Sequence, residues 1–240
     1  MYRVVTGIVA LMLAGCSRGA PIPEDGASAA AVVAPSEAAA PRPVGPERHI
    51  LAVGDSLLAG YGLASTNESY PARLEAALRA RGINARVSNA GVSGDTSSAG
   101  AERFGFVLKS QPARPDLVIV EFGGNDLLRA VPPAQTRANL DRMLGEARAA
   151  GLPVLLMGML APPNLGPEFK AKFEPIYPEL AKKHGARLVP FFLAPVMGKP
   201  DLAQPDHLHP TARGVEAIVA ATVEDVAAAL PQNQSRATAP

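Results

Sequence analysis

Four short stretches of the chain hold residue types from which a covalent hydrolytic site can be assembled. They are Gly54-Asp55-Ser56-Leu57, the tract 89–96 (NAGVSGDT), Gly123-Gly124-Asn125-Asp126 and Asp206-His207-Leu208-His209-Pro210. Hydrolysis through a serine needs a nucleophile, a base to take its proton, an acid to orient the base, and donors for the developing oxyanion. Ser56 is the candidate nucleophile: a strand-to-helix turn would expose its hydroxyl and let its amide point into the site. His209 is the candidate base. Asp206 lies three residues earlier, close enough in one turn to hold the other imidazole nitrogen and leave Nε2 free for the Ser56 proton. Gly94 lacks a Cβ, so its backbone N–H can approach a substrate closely, and Asn125 offers a side-chain amide donor.

Each stretch taken alone is an ordinary piece of loop. Gly-Asp-Ser and Gly-Gly-Asn-Asp are common turns, Asp206 could cap the following helix, and His209 could be a surface residue before Pro210. Their order along the chain gives them weight together. Of the other histidines, His49 starts a strand and so lies at the opposite edge of a sheet. His184 ends a helix, where a cation complements the dipole. His207 is the rival base: in a loop, residues 207 and 209 can point opposite ways, and only one can face Ser56.

The elements that must position these residues alternate. Short apolar strands are predicted over 49–54 (HILAVG), 84–88, 116–122 (DLVIVEF), 153–159 (PVLLMGM) and 186–191. Helices are predicted over 70–81, stopped by Gly82, over 135–150, stopped by Gly151, and over 168–184 with interruptions at Pro175 and Pro178. A closing helix over 211–230 has Thr211 as its N-cap. Strands separated by helices imply parallel pairing and right-handed crossovers, hence one α/β fold, a three-layer α/β/α sandwich with about five parallel strands. Ligands in such sheets bind beyond the carboxyl ends of the strands, where all four stretches fall.

The blocks GDSLLAGYGL, NAGVSGDT, GGNDLL and DHLHP resemble the four blocks of the SGNH, or GDSL, hydrolases. Within that family the chain is similar to the arylesterase, thioesterase I and lysophospholipase branch, a likeness strengthened by QTRANLD and GMLAPPNLGP. The resemblance spans about residues 49–230. It implies a flavodoxin-like sheet and a carboxylic ester hydrolase. It implies Ser56 as nucleophile, Ser56 N–H, Gly94 and Asn125 as oxyanion donors, and His209 with Asp206 as base and orienting acid. An O-acetyl esterase acting on cell-wall or extracellular polysaccharide is the alternative within the family. Two positions depart from the pattern: His207 stands where the family usually has Gly, and Leu160 where it often has Arg. No Gly-x-Ser-x-Gly elbow occurs.

Lys+Arg number 23 and Asp+Glu 22, a net charge of +1 that argues against an electrostatic nucleic-acid binder. The single cysteine forbids an intrachain disulfide or a Cys-rich zinc site, and neither metal nor cofactor is expected. That cysteine, Cys16, ends an apolar run from Val4 to Ala14 preceded by Arg3. The run spans 11 residues, too short to cross a bilayer, and has the layout of a signal peptide over 1–15. Leu13-Ala14-Gly15-Cys16 resembles a bacterial lipobox, which implies lipidation of Cys16. Ser17 then implies the outer membrane, facing the periplasm. From Ser17 to Arg48, 21 of 32 residues are Ala, Pro, Gly or Ser, a composition that cannot offset its ordering entropy and reads as a tether. The expected plan is an anchor and tether over 16–48, a hydrolase domain over 49–231 and a disordered tail over 232–240. Its partners would be a small ester or lysophospholipid substrate and, through the lipid, a membrane; the sequence is silent on oligomeric state.

Two other classes compete. Asp55 and Asp126 follow strands as acidic residues do in Mg²⁺-dependent phosphotransfer folds, although no Lys follows the fifth strand. A surface binding module with a degenerate site would leave the complete set of catalytic residue types unexplained.

Overall fold

The structure is a computed structural model that describes residues 42–231. The expected signal peptide, Cys16, most of the expected tether and the tail expected over 232–240 lie outside the described residues. Five parallel strands form one sheet in the order β2-β1-β3-β4-β5. The strands are β1 Val44–Gly54, β2 Ile83–Gly91, β3 Leu117–Glu121, β4 Val154–Met157 and β5 Arg187–Val189. This is the flavodoxin-like order, and the chain reverses direction of winding between β1 and β3.

Helices cover both faces. The longer ones are α2 Tyr70–Ala80, α3 Ser97–Lys109, α5 Pro133–Ala149, α7 Ile176–His184 and α8 Ala212–Ala229. Single turns or short helices lie between them: α1 Ser56–Ala59, α4 Gly124–Leu128 and α6 Gly166–Phe173. One layer is α2 against α8, the other α3 and α7 against α5. The apolar faces read from the sequence are the buried ones: Leu74 and Leu78 on α2, and Leu140, Met143, Leu144 and Ala147 on α5. Thr211 caps α8, its hydroxyl accepting from Gly214 N at 3.2 Å. Among the described residues no helix is long and apolar enough to cross a membrane.

Three differences from the sequence reading have local causes. β1 starts at Val44 rather than His49, because Val44 N donates to Gly82 O at 3.0 Å and the strand end pairs with Ile83 despite Pro46. The helix expected over 168–184 is interrupted at Pro175 as expected, the residue that caps α7, but not at Pro178, which lies in the first turn of α7 where a proline costs no hydrogen bond. Helix α3 has no counterpart among the expected elements, since Gly100 and Gly105 dilute its helical signal. Gly100 is there for packing: a Cβ would meet the Phe122 ring at 2.4 Å.

β3 is buried along its whole length, as a central parallel strand must be. Leu117, Val118, Ile119 and Val120 suit that burial; Glu121, fully buried at its carboxyl end, does not.

Candidate active site

Ser56 opens α1 directly after β1. Its neighbour Asp55 is the helix cap, with Oδ1 accepting from Leu57 N at 3.0 Å. Gly54 precedes them because β1 and β3 run tightly together here: a Cβ on Gly54 would lie 2.7 Å from the Glu121 carbonyl oxygen. Ser56 is almost buried, and its hydroxyl lies 2.8 Å from His209 Nε2. His209 Nδ1 lies 2.6 Å from Asp206 Oδ2. Asp206 Oδ1 accepts from the backbone N–H groups of Leu208 and His209, each at 3.0 Å, so one carboxylate shapes the loop and aims its imidazole. The hydrogen bond from His209 lowers the Asp206 pKa from the ordinary 3.8 to about 2.

The structure thus separates the two candidate bases. His209 meets both Ser56 and Asp206, whereas His207 is exposed and donates its backbone N–H to Gln204 O at 2.9 Å. His207 has φ +57°, the left-handed region that L-residues enter at a cost. That backbone accounts for the Gly the family usually carries at this position.

The remaining predicted residues come to the same cavity. Gly94 lines it with φ +86°, a conformation glycine adopts without penalty. Its carbonyl accepts from Arg129 Nη2 at 2.9 Å. Arg103 ties this loop to the end of β1, through Nε to Asp95 Oδ2 at 2.7 Å and Nη2 to Gly54 O at 3.0 Å. Asn125, on α4, donates through Nδ2 to Asp55 Oδ2 at 3.1 Å.

Asp126 does not join them. It is buried behind α4 and accepts from Ser97 N and Thr136 Oγ1, each at 2.8 Å, and from Ser97 Oγ. Its oxygens bind α3 and α5 to α4, which removes it as a partner of Asp55 in a cation site. Among the described residues no group of three or more His, Cys, Asp or Glu side chains is placed to hold a metal.

The cavity beside Ser56 has a volume of about 320 Å³ and a largely apolar wall that includes Leu127, Leu128, Met159, Leu160, Phe191 and Leu193. Leu160 is the position where the family often has Arg, so the wall here is apolar where a charge is usual. Leu128, Met197 and Leu208 stand exposed around the mouth.

Sequence reasoning missed three contributors. The Tyr61 ring covers His209, with centroids 4.6 Å apart and planes tilted by 41°. Gln204 bridges the loops on either side of the site. Glu121 adjoins the turn before Ser56, its Oε2 accepting from Asp55 N at 3.3 Å. Only Glu121 left a signal, as a lone acid closing an otherwise apolar strand. Burial, and then the charge of Asp55, hold its carboxyl well above the usual carboxylate range. Burial raises Asp55 too, against hydrogen bonds from Leu57 and Asn125 that favour its ionised form.

A model of the GDSL-like Lipase/Acylhydrolase family matches residues 52–217, a span that contains all four motif stretches. Over 161 residues the chain is 43% identical to esterase TesA of Pseudomonas aeruginosa, covering 67% of this chain and 79% of that protein. It is 40% identical over 161 residues to thioesterase 1/protease 1/lysophospholipase L1 of Escherichia coli K12, covering 67% of this chain and 74% of that one. The crystal structure of AlinE4, an SGNH-hydrolase family esterase, is 60% identical with a TM-score of 0.66, covering 79% of this chain and 100% of AlinE4. The chain belongs to the GDSL-like lipase/acylhydrolase family and is a carboxylic ester hydrolase.

Proposed function

We propose that the protein hydrolyses esters of a single acyl chain through a covalent intermediate on Ser56. The observation that carries this is His209, bridging Ser56 Oγ at 2.8 Å and Asp206 at 2.6 Å at the base of an apolar cavity. Ser56 Oγ attacks the ester carbonyl while His209 Nε2 takes its proton, and Asp206 stabilises the imidazolium and fixes its orientation. The tetrahedral oxyanion is met by the Ser56 and Gly94 N–H groups and the Asn125 side-chain amide. Each such donor is worth about 2.7–4 kcal/mol at the transition state. Collapse of the intermediate expels the alcohol, which takes the proton from His209. Water, activated by the same imidazole, then releases the acid and restores Ser56.

The apolar wall favours an acyl chain over the acetyl group of a polysaccharide ester. At about 320 Å³ the cavity lies near the small end of ligand clefts, which suits one chain rather than two. Aryl esters and lysophospholipids fit this description, and thioesters offer the same acyl group. The exposed apolar mouth and the lipobox-like Cys16 support a substrate met at a lipid surface in the cell envelope, with the enzyme held there as a lipoprotein. Lipidation itself is read by labelled palmitate: wild type takes up label and pellets with membranes, Cys16→Ala does neither, and an unlabelled, freely soluble wild type would refute the anchor.

The substrate reading is tested by kcat/KM of the purified protein across p-nitrophenyl esters of increasing chain length, a lysophospholipid and an acyl-CoA. A rise from acetyl to medium-length acyl groups is expected. A maximum at acetyl, with activity on acetylated polysaccharide, would favour the O-acetyl esterase alternative.

A further inference from the structure

Glu121 is fully buried at the end of β3, and no step of the hydrolysis uses it. Its carboxyl lies against that of Asp55, which is also buried. Oε2 accepts from Asp55 N at 3.3 Å, and Oε1 is buried with no hydrogen-bond partner. Two adjoining carboxylates in such a place would repel, and Oε1 would carry charge with nothing to compensate it. A carboxylic acid on Glu121 removes both costs, because its O–H donates to Asp55 and its partnerless oxygen is then neutral.

Asp55 distributes the consequence. One of its oxygens accepts from Leu57 N at 3.0 Å, inside the turn that presents Ser56, and the other accepts from Asn125 Nδ2 at 3.1 Å. An amide has two N–H donors, so holding one on Asp55 fixes the direction of the other. As an imidazolium His209 acts on Asp55, whereas three other groups packed around the pair are engaged elsewhere. Tyr177 donates to Phe122 O, Tyr70 pairs with Thr222, and Arg103 is spent on Asp95 and Gly54 O.

We propose that Glu121 is a positioning residue: as a neutral acid it holds Asp55 as a singly charged acceptor, and Asp55 in turn aims the Asn125 amide at the oxyanion. This rests on the assignment of Asn125 as an oxyanion donor. A misaimed donor costs up to what a missing one does, about 10²-fold in kcat.

The experiment compares Glu121→Gln, Glu121→Leu, Asn125→Ala and the Glu121→Leu/Asn125→Ala double variant in the full chain, on a soluble p-nitrophenyl ester. Gln keeps a neutral donor and acceptor and should hold kcat within about 3-fold of wild type. Leu should lower kcat by about 10²-fold with KM nearly unchanged. In the Asn125→Ala background, Glu121→Leu should cost under about 3-fold more, since the group it aims is gone. Infrared spectra at neutral pH should show a protonated-carboxyl C=O band in wild type that Glu121→Gln lacks. Full additivity in the double variant, a Gln variant as impaired as Leu, or no such band in wild type would each overturn the proposal. If Leu does not fold, the infrared band and the Gln variant decide it. An active Asn125→Ala at the wild-type rate would instead overturn the oxyanion assignment beneath it.

Discussion

Gln204 Nε2 donates to Tyr61 O at 2.8 Å and to Pro210 O at 2.9 Å, so one side chain ties the loop after Ser56 to the loop that carries His209. The backbone of Gln204 completes the clamp, its N–H donating to His209 O at 2.7 Å. Ser56 and His209 come from opposite ends of the domain sequence, and Gln204 is where their two loops are fastened together.

Gln204→Ala should therefore loosen the base rather than empty the site. Two carbonyl groups lose a donor, worth about 1–3 kcal/mol where they are buried. We expect kcat to fall about tenfold with KM changed less than threefold, measured by steady-state kinetics on a soluble ester. An unchanged kcat would show that the backbone contacts suffice.

His209→Ala should lower kcat by about 10⁴-fold or more, because a nucleophile without its base loses the whole unit. His207→Gly should leave kcat within about 3-fold, the imidazole at 207 making no hydrogen bond to Ser56 or Asp206. It should also relieve the φ of +57°. The left-handed penalty of about 1–2 kcal/mol exceeds the entropy cost of Gly, about 0.5–1 kcal/mol, so a small rise in Tm of about 1–4 °C is expected. The opposite pattern of the two variants would make His207 the base.

Asp206 gives a pH dependence of known sign. Its pKa is 3.8 unfolded and about 2 folded, through the hydrogen bond to His209. A depressed folded pKa contributes stability above pH 4 that is lost as pH falls through about 2. Thermal unfolding should therefore show wild type losing more Tm between pH 4 and pH 2 than Asp206→Asn does. Equal losses would mean the interaction contributes nothing to folding.

What could be read from the residues was what depends on pattern. β3 carries an apolar run closed by one acid and α5 an apolar face at helical spacing, so both are legible, and Ser56, Asp206, His209, Gly94 and Asn125 stand out because motif residues sit at strand ends. What escaped depends on contacts between distant segments. α3 hides behind Gly100, which is glycine only because Phe122 packs on it. Asp126 belongs only to the competing cation reading, and its bonds to Ser97 and Thr136, which turn it away from Asp55, cannot be read from local spacing. Gln204 and Tyr61 belong to loops whose meeting no local spacing announces.

Whether Ser56 is the nucleophile is read out by a fluorophosphonate probe with peptide mapping by mass spectrometry. A single adduct on Ser56 is expected, absent from Ser56→Ala and formed far more slowly in His209→Ala. Labelling on Ser93 or Ser97, or a Ser56→Ala variant that still hydrolyses esters at the wild-type rate, would contradict it.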